Sequence, residues 1–171
     1  MSDTAALRKP PRTPRWKAVT AAASAALAVA VLGGLSTDIG PWYRSLAEPW
    51  WKPPDALFAP AWTLIYACAA IAGVKSWQRA VSRPWREWML GLFAMNVFLN
   101  VSWSLLFFRI RRPDWALVEV GLLWLSILVL IVFLGRVSRT SGWLLAPYLV
   151  WVSFAAVLNL AVVRLNAPFG S

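Results

Sequence analysis

Five apolar runs, each close to the length needed to cross a hydrocarbon layer, constrain this chain more than any other feature: residues 18–35, 57–74, 88–108, 115–134 and 143–163. A hydrocarbon core about 30 Å thick takes about 20 helical residues to span. Inside it every backbone N–H and C=O must be paired within the protein, so spans of this kind are helices. Composition agrees: 60% of the 171 residues are apolar and 14% are charged, against about 45–50% and about 25% in soluble domains. The breaks between runs carry Pro, Gly and charge and are short, which predicts antiparallel neighbours in one bundle. The expected fold is all-α, an integral membrane five-transmembrane-helix bundle over 17–166, flanked by a disordered basic N-terminal tail (1–16) and a short C-terminal tail (167–171). The first run exceeds the about 7–15 residue apolar stretch of a cleaved signal peptide and is read as a retained span.

Five spans put the termini on opposite sides of the bilayer, and the 17 Lys and Arg choose between the two orientations. Eleven of them fall on the N-terminal side (Arg8, Lys9, Arg12, Arg15, Lys17, Lys75, Arg79, Arg83, Arg86, Arg136, Arg139) and six on the other (Arg44, Lys52, Arg109, Arg111, Arg112, Arg164). Cytoplasmic loops are the richer in Lys and Arg, so the N-terminus is expected in the cytoplasm and the C-terminus outside. Positive charge scattered between membrane spans addresses lipid headgroups and argues against a nucleic-acid partner. The chain has no His and a single Cys68 in an apolar run. Imidazole bases and His-ligated metals are thereby excluded, no metal site is expected, and Cys68 reads as a buried, inert thiol.

Thirteen Trp need a cause. Trp16, Trp77, Trp85, Trp88, Trp115 and Trp143 lie at run ends, where indoles form an interfacial belt. Trp103, Trp124 and Trp151 lie well inside their runs, where the indole N–H needs a protein or ligand partner; Trp124 reads as facing lipid or a neighbouring helix. The loop after the first run is stiffened by Pro41, Pro49, Pro53 and Pro54 and carries Trp42, Tyr43, Trp50 and Trp51. Such a loop is either a surface anchor or a lid presenting rigid ring faces to a planar apolar ligand. In the third run Asn96, Asn100, Trp103 and Phe107 share one helix face, with Ser104 at its edge. The two carboxamides must be hydrogen-bonded at membrane depth, as interhelical glue or to a ligand. Glu119 reads as snorkelling or pairing with Arg111 or Arg112. Small residues at Ala21/Ala25 and Ala69/Gly73 are spaced to let helices approach closely.

These residues carry a resemblance. Trp42-Tyr43, then Pro49-Trp50-Trp51-Lys52-Pro53-Pro54, then Phe58, Pro60, Trp62, Leu64 and Tyr66, together with NVFLNVSWSLLFF at 96–108 and PYLVWVSFAAVLN at 147–159, resemble the TspO/MBR family over about residues 17–166. The resemblance implies a five-helix receptor or sensory protein that binds porphyrins and related apolar ligands in a Trp-lined cavity capped by the first loop. Carried over by position, the pocket takes Tyr43, Pro53, Trp62, Tyr66, Asn100, Trp103, Trp151, Ala155 and Leu158. The residues' own pattern adds Trp50, Trp51, Asn96 and Phe107. No cofactor is required, porphyrin being the ligand, and a homodimer in the lipid bilayer is also implied. Two other readings stay open: light-dependent porphyrin degradation, for which Trp62 and Trp151 match the family's reactive pair, and transport of porphyrins or their precursors. Nothing supplies a general acid or base for ordinary turnover. Residues 158–164 lack the Tyr of the animal sterol-recognition pattern, so sterol binding is not carried over.

Overall fold

The computed structural model describes residues 14–169. Of the expected tails, 1–13 and 170–171 lie outside the described residues, while Arg15 and Trp16 already belong to the first helix. The elements are α1 (Arg15–Ser36), α2 (Pro41–Ser45), α3 (Phe58–Arg79), α4 (Arg83–Ser104), α5 (Pro113–Gly135), α6 (Arg139–Leu144) and α7 (Ala146–Asn166). A 3-10 turn, Asp55–Leu57, leads into α3, and a π-helical turn, Leu105–Arg109, continues α4. Among the described residues five helical segments are long and apolar enough to cross a membrane: Arg15–Ser36, Asp55–Arg79, Arg83–Arg109, Pro113–Gly135 and Arg139–Asn166.

The helices outrun the apolar runs where the sequence offers caps. Ser82 Oγ accepts from Trp85 N at 3.3 Å with Pro84 in the first turn, where the missing proline N–H costs nothing. Ser138 Oγ accepts from Ser141 N at 3.3 Å to start α6. Only residues 80–82 separate α3 from α4, because Trp and Arg at the helix ends keep stems on apolar surface and heads at the interface. Two faces result. The N-terminal face carries the start of α1 and the α3–α4 and α5–α6 turns; the loop face carries residues 37–54, the turn at 110–112 and the end of α7.

α1 packs along α3 and against α4, α4 along α5, and α5 along α7, while α6 wedges between α5 and α3. Aromatic rings complete the ring of helices, with Trp62 edge-on to Tyr148 at 5.9 Å and Phe58 edge-on to Trp151 at 5.5 Å across α3 and α7. The interior stripe of α5 (Ala116, Val120, Leu123, Ile127, Leu130, Leu134) is buried, whereas Leu64, Phe98, Val118, Leu122 and Val150 point outward, as expected where the surrounding solvent is lipid. Cys68 is half-buried rather than buried.

The tryptophans divide more finely than the sequence suggested. Trp16, Trp88, Trp115 and Trp143 are exposed at helix ends, but Trp85 stacks on Phe133 at 4.8 Å and Trp77 lies under the Arg86 guanidinium at 4.6 Å. These two tie together the helix ends at the N-terminal face: the end of α3 to the start of α4, and the start of α4 to the end of α5. Trp124 faces a neighbouring helix and donates from Nε1 to Ser153 Oγ at 2.9 Å.

Gly142 marks the tightest backbone approach. A Cβ there would stand 3.0 Å from the Ile131 carbonyl oxygen and 3.3 Å from Gly135 Cα, both main-chain atoms that cannot swing aside. Gly142→Val is therefore expected to cost about 1–3 kcal/mol by overpacking, read as a lower melting temperature of the purified protein. Gly121→Ala, where a Cβ meets nothing within 4 Å, is expected to hold or raise it; equal effects at the two positions would contradict the docking of α6 on α5.

Candidate functional site

Near the middle of the bundle a chain of side-chain hydrogen bonds links four helices. Tyr66 Oη on α3 donates to Asn100 Oδ1 on α4 at 3.1 Å. Asn100 Nδ2 donates to Tyr148 Oη on α7 at 3.1 Å, and Tyr148 Oη donates back to Asn96 Oδ1 at 3.2 Å. Asn96 Nδ2 donates to Ser126 Oγ on α5 at 2.8 Å, and Ser126 Oγ ends the chain on the Leu123 carbonyl at 2.7 Å. A carbonyl only accepts, so the donor direction of the whole chain is fixed. At this depth water does not replace a missing partner. The carboxamides are thus interhelical glue, and they also face open space.

The chain closes the deep end of a cavity of about 330 Å³ between α1, α3 and α4, in the half of the bundle toward the N-terminal face. Its walls are the small residues Ala21, Ala22, Ala25 and Ala26 of α1 and Ala69, Ala70 and Gly73 of α3. The pairs Ala21/Ala25 and Ala69/Gly73, expected to draw helices together, instead leave a gap between them. A second cavity of about 50 Å³ lies beneath the first loop, lined by Tyr43, Leu46, Glu48, Lys52, Phe58, Trp103, Phe107, Phe108, Ala155, Leu158, Asn159 and Val162. Small-molecule sites span about 300–1,000 Å³, so in this conformation the outer cleft is shut.

Aromatic packing shuts it. Trp103 stacks on Phe107 at 5.2 Å, Phe107 leans on Phe108 at 4.8 Å, Tyr43 meets Phe108 at 5.6 Å, and Trp42 meets Phe107 edge-on at 6.2 Å. The π-helical turn makes this possible. It spends an extra residue per turn, with Ile110 N donating to Leu105 O at 2.9 Å, and so rotates the adjacent Phe107 and Phe108 toward the loop. Arg111, at φ 58°, then reverses the chain in the left-handed region and places its guanidinium 5.8 Å over the Trp42 ring.

Polar contacts hold the loop down. Asn166 of α7 clamps Ala47 on both sides, accepting from its N–H at 2.7 Å and donating to its carbonyl at 2.9 Å. Tyr43 Oη donates to Asp55 at 3.1 Å. Lys52 pairs with Glu48 and with Asp55 (2.7 Å) and lies 4.9 Å from the Tyr43 ring centre. Burial works to lower the Lys52 pKa, but the bonds to Asp55 and Glu48 outweigh it and hold the ammonium above the usual lysine range. Burial raises the Tyr43 phenol above its ordinary value. Both groups therefore keep their protons across physiological pH.

Tyr43, Trp103, Phe107, Ala155 and Leu158 gather at the outer cleft, while Tyr66, Asn96 and Asn100 line the inner cavity. Trp62 stands between, stacked on Tyr66 at 5.3 Å. Trp151 packs on Phe58 and Phe154, and Trp51 meets Phe154 edge-on at 5.9 Å. Pro53 is half-buried in the loop. Trp50, 95% exposed, borders neither cavity. The Trp103 indole N–H is buried in the cleft wall with no acceptor among the described residues.

Glu119 departs from expectation. It is buried beside Ala116, Val120 and Leu123 on the interior stripe of α5, and neither carboxylate oxygen has a partner among the described residues. Arg112 is engaged at Asp114 instead, and Arg111 at Trp42. Tyr148, Ser126 and Asn166 also belong to the site, though the sequence did not single them out. A phenol and a hydroxyl inside apolar runs were the available signals for the first two. Asn159, with its amide oriented to suit its neighbours, donates to the Pro113 carbonyl at 3.0 Å and accepts from Leu117 N at 3.1 Å, tying α7 to the first turn of α5.

Comparison with known proteins gives a family profile described as the TspO/MBR family, matching residues 20–165. The chain is 39% identical over 129 residues to the tryptophan-rich protein TspO of Chlorobaculum tepidum, covering 73% of this chain and 79% of that one. It is 34% identical to protein CrtK of Rhodobacter capsulatus (74% and 79% covered) and 36% identical to the translocator protein of Sus scrofa (73% and 75% covered).

The polar chain predicts a graded response. Tyr148→Phe strands Asn100 Nδ2 and Asn96 Oδ1 in the interior and is expected to cost about 1–3 kcal/mol. Trp124→Phe, which removes one interhelical bond to Ser153, is expected to cost about 0.6 kcal/mol. Thermal unfolding in one detergent compares the two, and an equal or smaller loss for Tyr148→Phe would contradict the chain.

Proposed function

The chain belongs to the TspO/MBR family, and from that premise we propose that it is a membrane receptor or sensor for porphyrins and related flat, apolar, carboxylated ligands, which it takes up beneath the first loop. The observation that carries this reading is the unpaired Trp103 N–H, a buried donor in an aromatic wall that a bound ligand's acceptor would satisfy. Around it Phe107, Phe108 and Phe58 line the cleft, with Trp151 packed behind Phe58, and stacking is favourable for a planar aromatic guest. Cations rim the cleft: Lys52 over Tyr43, Arg111 over Trp42, Arg44 exposed in α2, and Arg109 donating to the Leu35 carbonyl. Propionate groups would meet these, exchanging with Asp55 or Glu48 at Lys52.

Entry requires the loop to lift, because the cleft is shut. The Asn166 clamp and the Lys52 ion pairs are the contacts to be released, and the Trp103–Phe107–Phe108 stack is the packing to be parted. A closed resting state with a weak polar latch suits a sensor, whose ligand shifts a population between two loop positions. The excess of Lys and Arg at the N-terminal face supports a cytoplasmic position for that face, with the loop outside.

Titration with protoporphyrin, followed by Trp quenching, tests the reading. The Trp62→Phe/Trp151→Phe double variant is expected to bind more weakly; unchanged affinity would remove the indole assignment. Trp103→Phe deletes an unsatisfied donor, so the ligand-free protein is expected to lose no more than about 1 kcal/mol while porphyrin affinity falls. Asn166→Ala is expected to speed association by unlatching the loop; an unchanged association rate would contradict a lid.

A further inference from the structure

The inner cavity is remote from the loop and has its own chemistry. It extends along α1 from Lys17 to Val29 and along α3 from Trp77 to Tyr66, about 16–18 Å at the helical rise, comparable to the about 15 Å of hydrocarbon in one leaflet. Ala and Gly on α1 and α3 leave it open along its length. At its mouth, level with the interfacial Trp16 and Trp77, stands Lys17, which pairs with no carboxylate among the described residues and has its ammonium 5.5 Å from the Trp16 ring. At its deep end the Tyr66, Asn100, Tyr148 and Asn96 polar atoms are already paired with one another. A saturated tail therefore meets no unpaired group there. Tyr66 also walls this cavity off from the cleft above, with its hydroxyl 3.8 Å from where a Cβ on Gly33 would stand.

We propose that this slot is a second binding site, for one single-chain anionic amphiphile drawn from the leaflet at the N-terminal face, a long-chain carboxylate with its head at Lys17 and its tail against the polar chain. Charge and shape both select it. The ammonium, without a carboxylate partner among the described residues, sits at headgroup depth, where each Lys or Arg attracts anionic amphiphiles. A slot of about 330 Å³ accommodates one chain rather than the two of a phospholipid. An empty apolar slot forfeits the dispersion contacts of its walls, and an acyl chain restores them. The site does not depend on porphyrin binding under the loop.

The test uses the full chain in maltoside micelles with palmitate as the probe, read by native mass spectrometry and by the shift in melting temperature. The expected result is saturable retention of one palmitate. Binding should be weakened about fivefold by Lys17→Gln, to a similar degree when hexadecanol replaces palmitate, and abolished by Ala26→Leu or Ala22→Leu, each of which fills the slot. Protoporphyrin quenching should persist in the filled variants, which also shows that they are folded and separates this site from the one beneath the loop. Equal palmitate binding by wild type and both filled variants would overturn the proposal, as would preferential retention of phosphatidylglycerol over palmitate. Loss of porphyrin quenching with palmitate binding intact would count against the cleft and not against this slot.

Discussion

A bilayer offers no water to replace a missing hydrogen bond, and the rest of this structure depends on how the chain meets that constraint. Two phenols, two carboxamides and a serine at mid-depth form one directed chain that ends on a main-chain carbonyl. The chain ties α3, α4, α5 and α7 at one level, so the helices cannot rotate independently without breaking several bonds. It also sets the boundary between the two cavities, since Tyr66 is at once its first donor and the partition between them. Glue and wall are the same atoms.

Above this level aromatic rings replace polar bonds as the packing material. The π-helical turn after α4 brings Phe107 and Phe108 under the loop, and the loop answers with Trp42 and Tyr43. Edge-on and stacked rings are individually weak, and what latches the loop is a few polar contacts at its rim: the Asn166 clamp and the Lys52 pairs. Lifting the loop would release these rim contacts and part the aromatic stack, while the polar chain below would stay paired. Among the described residues Glu119 and the Trp103 N–H are the buried side-chain exceptions to pairing in this half of the molecule, and unsatisfied buried groups mark places where a structure has kept something in reserve.

Much of this was legible in the sequence because membrane thickness translates directly into run length. The five spans, the antiparallel order and the shared face of Asn96, Asn100 and Trp103 follow from period and length. Other features were not legible, for identifiable reasons. Ala21/Ala25 and Ala69/Gly73 look the same whether small residues admit a neighbour or leave a void, and only the placement of α1 against α3 and α4 decides. Glu119 lies about one turn from Trp115, so its depth suggested the interface, yet its angle on α5 puts it inside. Arg112 was a plausible partner for it until Asp114, two residues away, engaged the guanidinium. The π-helical turn left no composition signal, and the closure of the cleft depends on it.

The most direct test of the account is a structure of the protein with protoporphyrin bound in lipid. The account predicts the macrocycle beneath a raised first loop, with a ligand acceptor on the Trp103 indole nitrogen, carboxylates near Lys52 or Arg44, and the Tyr66–Asn100–Tyr148 chain intact below. A macrocycle held on the lipid-facing surface with the loop still clamped by Asn166 would contradict it.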